Sequence, residues 1–231
     1  KDTGVKRIAL AAKFANRNNV HEQMLKKRIM EECEGVHVSI SSEISGKLNF
    51  PRRAATTYFT AMTISEWNRF VDQIEEALKL RGIKAEVQVL KADGGTMPLA
   101  ASRTKPCETA FSGPAASTMG GSALTRDKLN SVVVDVGGTT TDLSLIISGE
   151  PLYASKGAVI EKQLTHVNSF AVRSIPLGGD SVITAQGVQP YRLGPAACFG
   201  GEKATVTDAF NIHLNLNLGN VAQSESQLKD I

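Results

Sequence analysis

Apolar and polar positions change period twice within the first forty residues. Arg7-Ile-Ala-Leu-Ala-Ala-Lys-Phe14 is a short apolar run of strand length. Asn18-Asn19 then offers a cap, and Val20, Met24, Leu25, Ile29, Met30 and Cys33 share one helical face that stops at Gly35. Val36-His37-Val38-Ser39-Ile40 alternates at period two and reads as a second strand. Strand, helix and strand in this order form a βαβ unit, which predicts an α/β fold.

The spacing next predicts a helix over 63–81. Thr63 and Glu66 have capping-box spacing, and Ile64, Trp67, Phe70, Val71, Ile74, Ala77 and Leu78 fall on one stripe. Gly82 follows where a left-handed cap is expected, and Trp67 is expected in the core. Val87 to Leu90 reads as a strand running into a tight turn at Asp93-Gly94-Gly95. Gly113-Pro114 opens a helix of small residues: Ala115, Ala116, Ser117, Gly120, Gly121, Ser122 and Ala123. Each glycine inside a helix costs ~1 kcal/mol relative to alanine, so a second element must pack closely against this one.

The segment that carries chemistry is Ser131-Val-Val-Val-Asp-Val-Gly-Gly-Thr-Thr-Thr-Asp-Leu-Ser-Leu-Ile-Ile147. A β-branched strand enters Gly137-Gly138-Thr139-Thr140-Thr141 and an alternating strand leaves from Asp142, which predicts a β-hairpin. Glycines let the backbone expose consecutive N–H groups as an anion-binding nest, and threonine hydroxyls add donors. Asp135, at the strand end, suits a Mg²⁺ ligand or a group that orients an attacking oxygen. Neither a GxxxxGK[ST] loop nor a GxGxxG fingerprint occurs, and a strand rather than a helix follows the glycines.

Composition narrows the picture by exclusion. Hydrophobic residues make up 42% and charged residues 21%, which rules out a disordered chain. Lys and Arg number 26 against 23 Asp and Glu, a net charge of +3 that gives no argument for nucleic acid. Cys33, Cys107 and Cys198 are far apart and form no CxxC pair, and the four histidines show no metal-ligand spacing, so free thiols in a reducing compartment are expected. No apolar stretch reaches the length of a membrane span, and Lys1 to Arg7 lacks the apolar core of a signal peptide. A soluble, cytoplasmic protein with no membrane or nucleic-acid partner is the resulting expectation.

The hairpin Asp135-Val-Gly-Gly-Thr-Thr-Thr-Asp142 resembles the phosphate-binding hairpin of the actin, sugar-kinase and heat-shock-chaperone ATPase superfamily. Within it, the sequence is most similar to the hydantoinase A/5-oxoprolinase family, which also includes an acetone carboxylase subunit. Lys91-Ala-Asp-Gly-Gly-Thr-Met97, Ser112-Gly-Pro-Ala-Ala116, Leu177-Gly-Gly-Asp-Ser181, Leu193-Gly-Pro-Ala-Ala-Cys-Phe-Gly-Gly201 and Ala204-Thr-Val-Thr-Asp-Ala209 extend the likeness along the chain.

This resemblance implies ribonuclease-H-like α/β lobes with mixed sheets. Residues 1–110 would be the C-terminal part of a first lobe and 111–231 the N-terminal part of a second. Family members are longer and carry an earlier Asp-x-Gly-Gly-Thr hairpin, so the sequence reads as an internal piece with little activity of its own.

The implied activity is ATP- and Mg²⁺-dependent hydrolysis of a cyclic amide, of hydantoin or 5-oxoproline type, through phosphorylation of the carbonyl oxygen, with a possible companion subunit. A nucleotide-dependent activator or assembly ATPase is the alternative. Gly137, Gly138, Thr139, Thr140, Thr141 and Asp142 are assigned to nucleotide phosphates, and Asp135 to Mg²⁺ or the attacking group. Gly178-Gly179-Asp180 is either a structural turn or a turn opening a helix at Ser181 that faces phosphate or substrate. Asp208 either faces the same cleft or caps the segment 209–216.

Overall fold

The computed structural model describes residues 4–125, 129–229 and 231. It divides into two units, Lys1–Gly120 with Leu152–Ala171, and Gly121–Pro151 with Val172–Ile231.

The first unit begins with the expected βαβ arrangement. β1 (Arg7–Leu10) and β2 (His37–Ile40) pair in parallel, Arg7 opposite His37, with α1 (Val20–Glu32) as the crossover. The predicted apolar stripe of α1 is not what anchors it, because Val20, Met24, Leu25 and Met30 are exposed. Its buried residue is Glu22, whose carboxylate accepts hydrogen bonds from Ala12 N (2.7 Å), Ser41 Oγ (2.6 Å) and Ser42 N (2.9 Å). N–H groups just beyond the ends of β1 and β2 need an acceptor there, and a carboxylate satisfies them where an apolar side chain cannot.

α2 (Ser41–Ile44) leads to α3 (Phe50–Leu80), which starts well before the expected Thr63. Asn49 accepts from Arg52 N and Pro51 occupies the first turn, a start signal that the apolar periodicity does not contain. Threonines interrupt the stripe at this end, yet Thr56, Thr57 and Thr63 donate to the carbonyls of Arg52, Arg53 and Phe59 and so remain helical. Thr63 is therefore a mid-helix residue and not a cap. Gly82, at φ 65°, ends the helix as expected, with Ile83 N donating to Leu78 O.

Arg53, only 1% exposed, donates to Ser41 Oγ and to the carbonyls of Ala12, Lys13 and Lys47. Ser41 thus links the buried Arg53 to Glu22. β3 (Gln88–Leu90) and β4 (Thr96–Pro98) form a hairpin around the predicted Asp93-Gly94-Gly95 turn, where Gly95 N donates to Asp93 Oδ1. Trp67 is half-buried, packs on Phe70 and donates from Nε1 to Ser102 Oγ (2.9 Å) at the end of α4 (Leu99–Ser102).

α5 (Ser112–Leu124) is the small-residue helix, and close packing against it is observed. In the second unit, a Cβ on Gly121 would lie 2.6 Å from Val133 Cγ2. Val133 belongs to β5 (Ser131–Val136), which pairs antiparallel with β6 (Thr141–Ile147) in the predicted hairpin, and β7 (Glu150–Pro151) adds to β6.

The chain then returns to the first unit with β8 (Val159–Ile160) and β9 (Gln163–Leu164). There Phe59, Ala92, Cys107, Ala158 and Val167 form an apolar core.

Back in the second unit, β10 (Val172–Ile175) pairs with β6, giving the order β10-β6-β5. β11 (Ser181–Thr184) and β12 (Gly187–Arg192) form a hairpin. No helix begins at Ser181, since Val182, Ile183 and Thr184 are β-branched and pair as a strand. α6 (Val206–His213) and α7 (Val221–Leu228) complete the unit. Among the described residues, no helix is long and apolar enough to cross a membrane.

Candidate functional site

The predicted hairpin closes with Asp135 directly opposite Asp142 and Val136 opposite Thr141, leaving Gly137–Thr140 as the turn. Gly137 N donates to Thr140 O (2.9 Å) inside it. Gly137, Gly138 and Thr139 are exposed, while Asp135, Thr140, Thr141 and Asp142 are half-buried.

The structure brings Gly178 and Gly179 directly beneath this turn. Gly179 N donates to Gly137 O (2.9 Å) and Asp180 N to Gly138 O (2.7 Å), while Thr141 Oγ1 donates to Leu177 O (2.7 Å). Contact is close enough to require glycine: a Cβ on Gly178 would sit 2.5 Å from both Gly137 O and Gly138 O. A Cβ on Gly138 would sit 2.9 Å from Asp180 Oδ2, and one on Gly179 would sit 2.7 Å from Thr207 Oγ1.

These contacts fix which side of the turn carries donors. No cis peptide is present among the described residues, and in a trans peptide the N–H points opposite to the preceding carbonyl. Because the Gly137 and Gly138 carbonyls point at the 178–180 turn, the Gly138 and Thr139 N–H groups point away from it. Neither finds a protein acceptor among the described residues. Gly178 to Asp180 therefore act as a clamp that orients the turn.

Asp208 takes the capping role of the two left open by the sequence. It is fully buried and forms a capping box with Thr205 at the start of α6. Its carboxylate accepts from Ala197 N, Cys198 N and Thr205 N (2.8, 2.8 and 2.9 Å), and from Thr205 Oγ1 (2.9 Å) and Ser224 Oγ (2.6 Å). Burial pushes its carboxyl up, but the hydrogen bonds from Ser224, Cys198, Ala197 and Thr205 outweigh this and hold it below the ordinary range. With five bonds on two oxygens, this side chain positions α6. From that helix, Thr207 donates to Gly179 O through both its N–H (2.8 Å) and its hydroxyl (2.9 Å).

Three participants were not read from the sequence as site residues. Asp180 pairs with Arg192 (3.0 Å) beside Gly138, and Thr207 braces Gly179. Asp180 had a signal, since it follows the glycine pair. Arg192 and Thr207 had none, because strand pairing and the α6 cap bring them in. Among the described residues, no group of three or more His, Cys, Asp or Glu side chains could hold a metal ion by itself. Asp135 and Asp142 thus form at most a two-carboxylate site.

A mixed α/β unit with a glycine-braced, donor-lined hairpin turn is the class that fold and site define. The family profile described as hydantoinase/oxoprolinase matches residues 53–225, and the chain belongs to that family. It is 24% identical to caprolactamase subunit alpha of Pseudomonas jessenii, covering 96% of this chain and 33% of that protein. It is 28% identical to the 5-oxoprolinase of Saccharomyces cerevisiae, covering 94% and 17%. Among solved structures, a nucleotide-free acetone carboxylase, described in terms of ATP-dependent acetone carboxylation, superposes with a TM-score of 0.84 at 20% identity, covering 97% of this chain and 35% of that one. The chain spans about a third or less of the length of these relatives.

Proposed function

We propose that the Gly137–Thr141 turn binds the phosphates of ATP, with Mg²⁺ held at Asp135, and that the whole protein uses ATP to activate and open a cyclic amide. The observation that carries this reading is the oriented turn: exposed, with its Gly138 and Thr139 N–H groups directed away from the 178–180 clamp and without protein acceptors among the described residues.

The residues fit the group. Backbone N–H groups of Gly138 and Thr139 and the threonine hydroxyls supply donors to phosphate oxygens, as in other backbone nests. Thr140 Oγ1 leans on Asp142 Oδ2 (3.5 Å), which keeps its hydroxyl near the strand end, whereas Thr141 is committed to Leu177 O and contributes through position. Mg²⁺ is normally held by one or two carboxylates together with substrate phosphates, and Asp135 facing Asp142 provides that number. Gly178 and Gly179 support the turn from behind, and Asp208 acts on them through α6 and Thr207. When bound, ATP supplies a phosphoryl group that makes a lactam carbonyl open to water. This chain's part is to orient phosphates and to neutralise charge, the main terms in phosphoryl transfer.

The cyclic-amide substrate class rests on the relatives named as caprolactamase and 5-oxoprolinase, and a companion subunit rests on the former being a subunit. Residues 1–110 and 111–231 belong, in this reading, to successive actin-like lobes of a soluble, cytoplasmic enzyme. The test is ADP release by the whole protein offered hydantoin, 5-oxoproline and caprolactam in turn. Stimulation by one lactam with ring-opened product supports the proposal. ATP turnover that ignores all of them sinks its substrate half and favours an activator ATPase.

A further inference from the structure

Within the first unit, away from the hairpin, lies a polar pocket of about 190 Å³ whose walls include Ser45, Lys47, Thr60, Lys105, Cys107 and His166. We infer that it binds a small carboxylate.

Charge is the first reason. Lys47 and Lys105 both line the pocket, and among the described residues neither has an ion-pair partner. Lys47 Nζ reaches only neutral acceptors, Asn168 Oδ1 (3.2 Å) and His166 O (3.4 Å). Glu108, the carboxylate in the wall, faces Lys91 at 3.7 Å. Burial keeps the Cys107 thiol protonated, pushing it up to about 12. The lining is therefore net positive.

An unmet hydrogen bond is the second and independent reason. Thr60 is fully buried, lines the pocket, and its hydroxyl makes no hydrogen bond of ordinary geometry. It lies beside the Cys107 thiol, a weak partner. Thr56, Thr57 and Thr63 of the same helix all satisfy themselves on the carbonyl four residues back. A ligand oxygen would give this hydroxyl a stronger partner than the thiol.

The Ser45–His166 pair is the third. Ser45 Oγ and His166 Nδ1 are 2.7 Å apart, and the ring is held below its ordinary pKa by burial and by the charges of Arg52 and Lys47. At neutral pH the pair adds a polar, uncharged part to the lining. The volume equals on the order of six waters at about 30 Å³ each, room for a small organic acid and not for a nucleotide.

NMR titration of the 231-residue chain tests this, following the His166 ring and the Ile44 and Val167 amides against propionate, isosteric propionamide and inorganic phosphate. The expected result is saturable binding of propionate and none of propionamide. Lys105→Gln, at a half-exposed position that leaves the fold intact, and the isosteric Thr60→Val should each weaken binding about fivefold, the worth of one hydrogen bond of ~1 kcal/mol. Equal response to acid and amide, affinity unchanged in Lys105→Gln, or binding of phosphate alone would overturn the assignment.

Discussion

Gly178→Ala is the substitution that probes the brace under the hairpin turn most sharply. Its backbone is not in the left-handed region, so the cost is steric and not conformational. The new Cβ would stand 2.5 Å from both Gly137 O and Gly138 O, where a carbon and an oxygen normally approach to about 3.3 Å. Backbone must move by most of an ångström, and no flexible side chain is available to yield. Two hydrogen bonds cross this contact, Gly179 N to Gly137 O and Asp180 N to Gly138 O, and each contributes about 0.5–1.5 kcal/mol. Overpacking adds ~1–3 kcal/mol, so a loss of about 3 kcal/mol is expected once overlap between the two effects is discounted. Urea unfolding gives the stability, and hydrogen exchange of the Gly179 and Asp180 amides locates the damage. Gly120→Ala is the control, because its Cβ meets nothing within 4 Å and a helical alanine should gain up to ~1 kcal/mol. A Gly178→Ala chain with wild-type stability and undiminished protection at both amides would refute the brace.

Asp208→Ala should cost at least about 3 kcal/mol, since five donors lose their acceptor in a buried site, and calorimetry of unfolding checks it. Asp208 and Glu22 both have lowered pKa values, so the folded state binds fewer protons than the unfolded one near pH 4. Their stabilisation is complete above the ordinary carboxylate range of about 3.9–4.3 and declines as pH falls through their folded values; urea midpoints from pH 6 to pH 2 should fall, less steeply in Asp208→Asn. Arg53→Ala should destabilise the first unit by ~3–5 kcal/mol through uncovered carbonyls and an altered Ser41–Glu22 link, while Arg53→Lys recovers only part, as thermal unfolding would show. Iodoacetamide should label half-exposed Cys33 in the native chain well before buried Cys107, whose thiol is held at about 12, and mass spectrometry of the peptides gives the order.

Much of the candidate site was legible because it is local. The β-branched run, paired glycines and threonines of 131–147 carry the hairpin signal within one short segment, and the βαβ opening follows from periodicity alone. The small-residue helix was also readable as a demand for a close neighbour, met by Val133 at Gly121. What periodicity missed depends on polar burial. The first turns of α3 hide behind threonines whose hydroxyls bond within the helix, and α1 is anchored through Glu22 while its apolar stripe stays exposed. At Gly178-Gly179-Asp180 the sequence leaves a structural turn and a helix start both open, and β-branched Val182 to Thr184 decide between them by pairing as a strand. Arg192 and Thr207 reach the turn through strand pairing and a cap, and no spacing in one sequence encodes that. His166, Ser45 and Thr60 come together from separate segments for the same reason.

Nucleotide phosphates are proposed to bind on the donor side of the Gly137–Thr141 turn. Amide NMR of the chain during titration with MgADP, repeated on Thr139→Val, tests it most directly. Saturable shifts concentrated at Gly138, Thr139 and Thr140 are expected, weakened in the variant by about fivefold. Absence of shifts there in a folded chain, or shifts that centre elsewhere and persist unchanged in the variant, would contradict it.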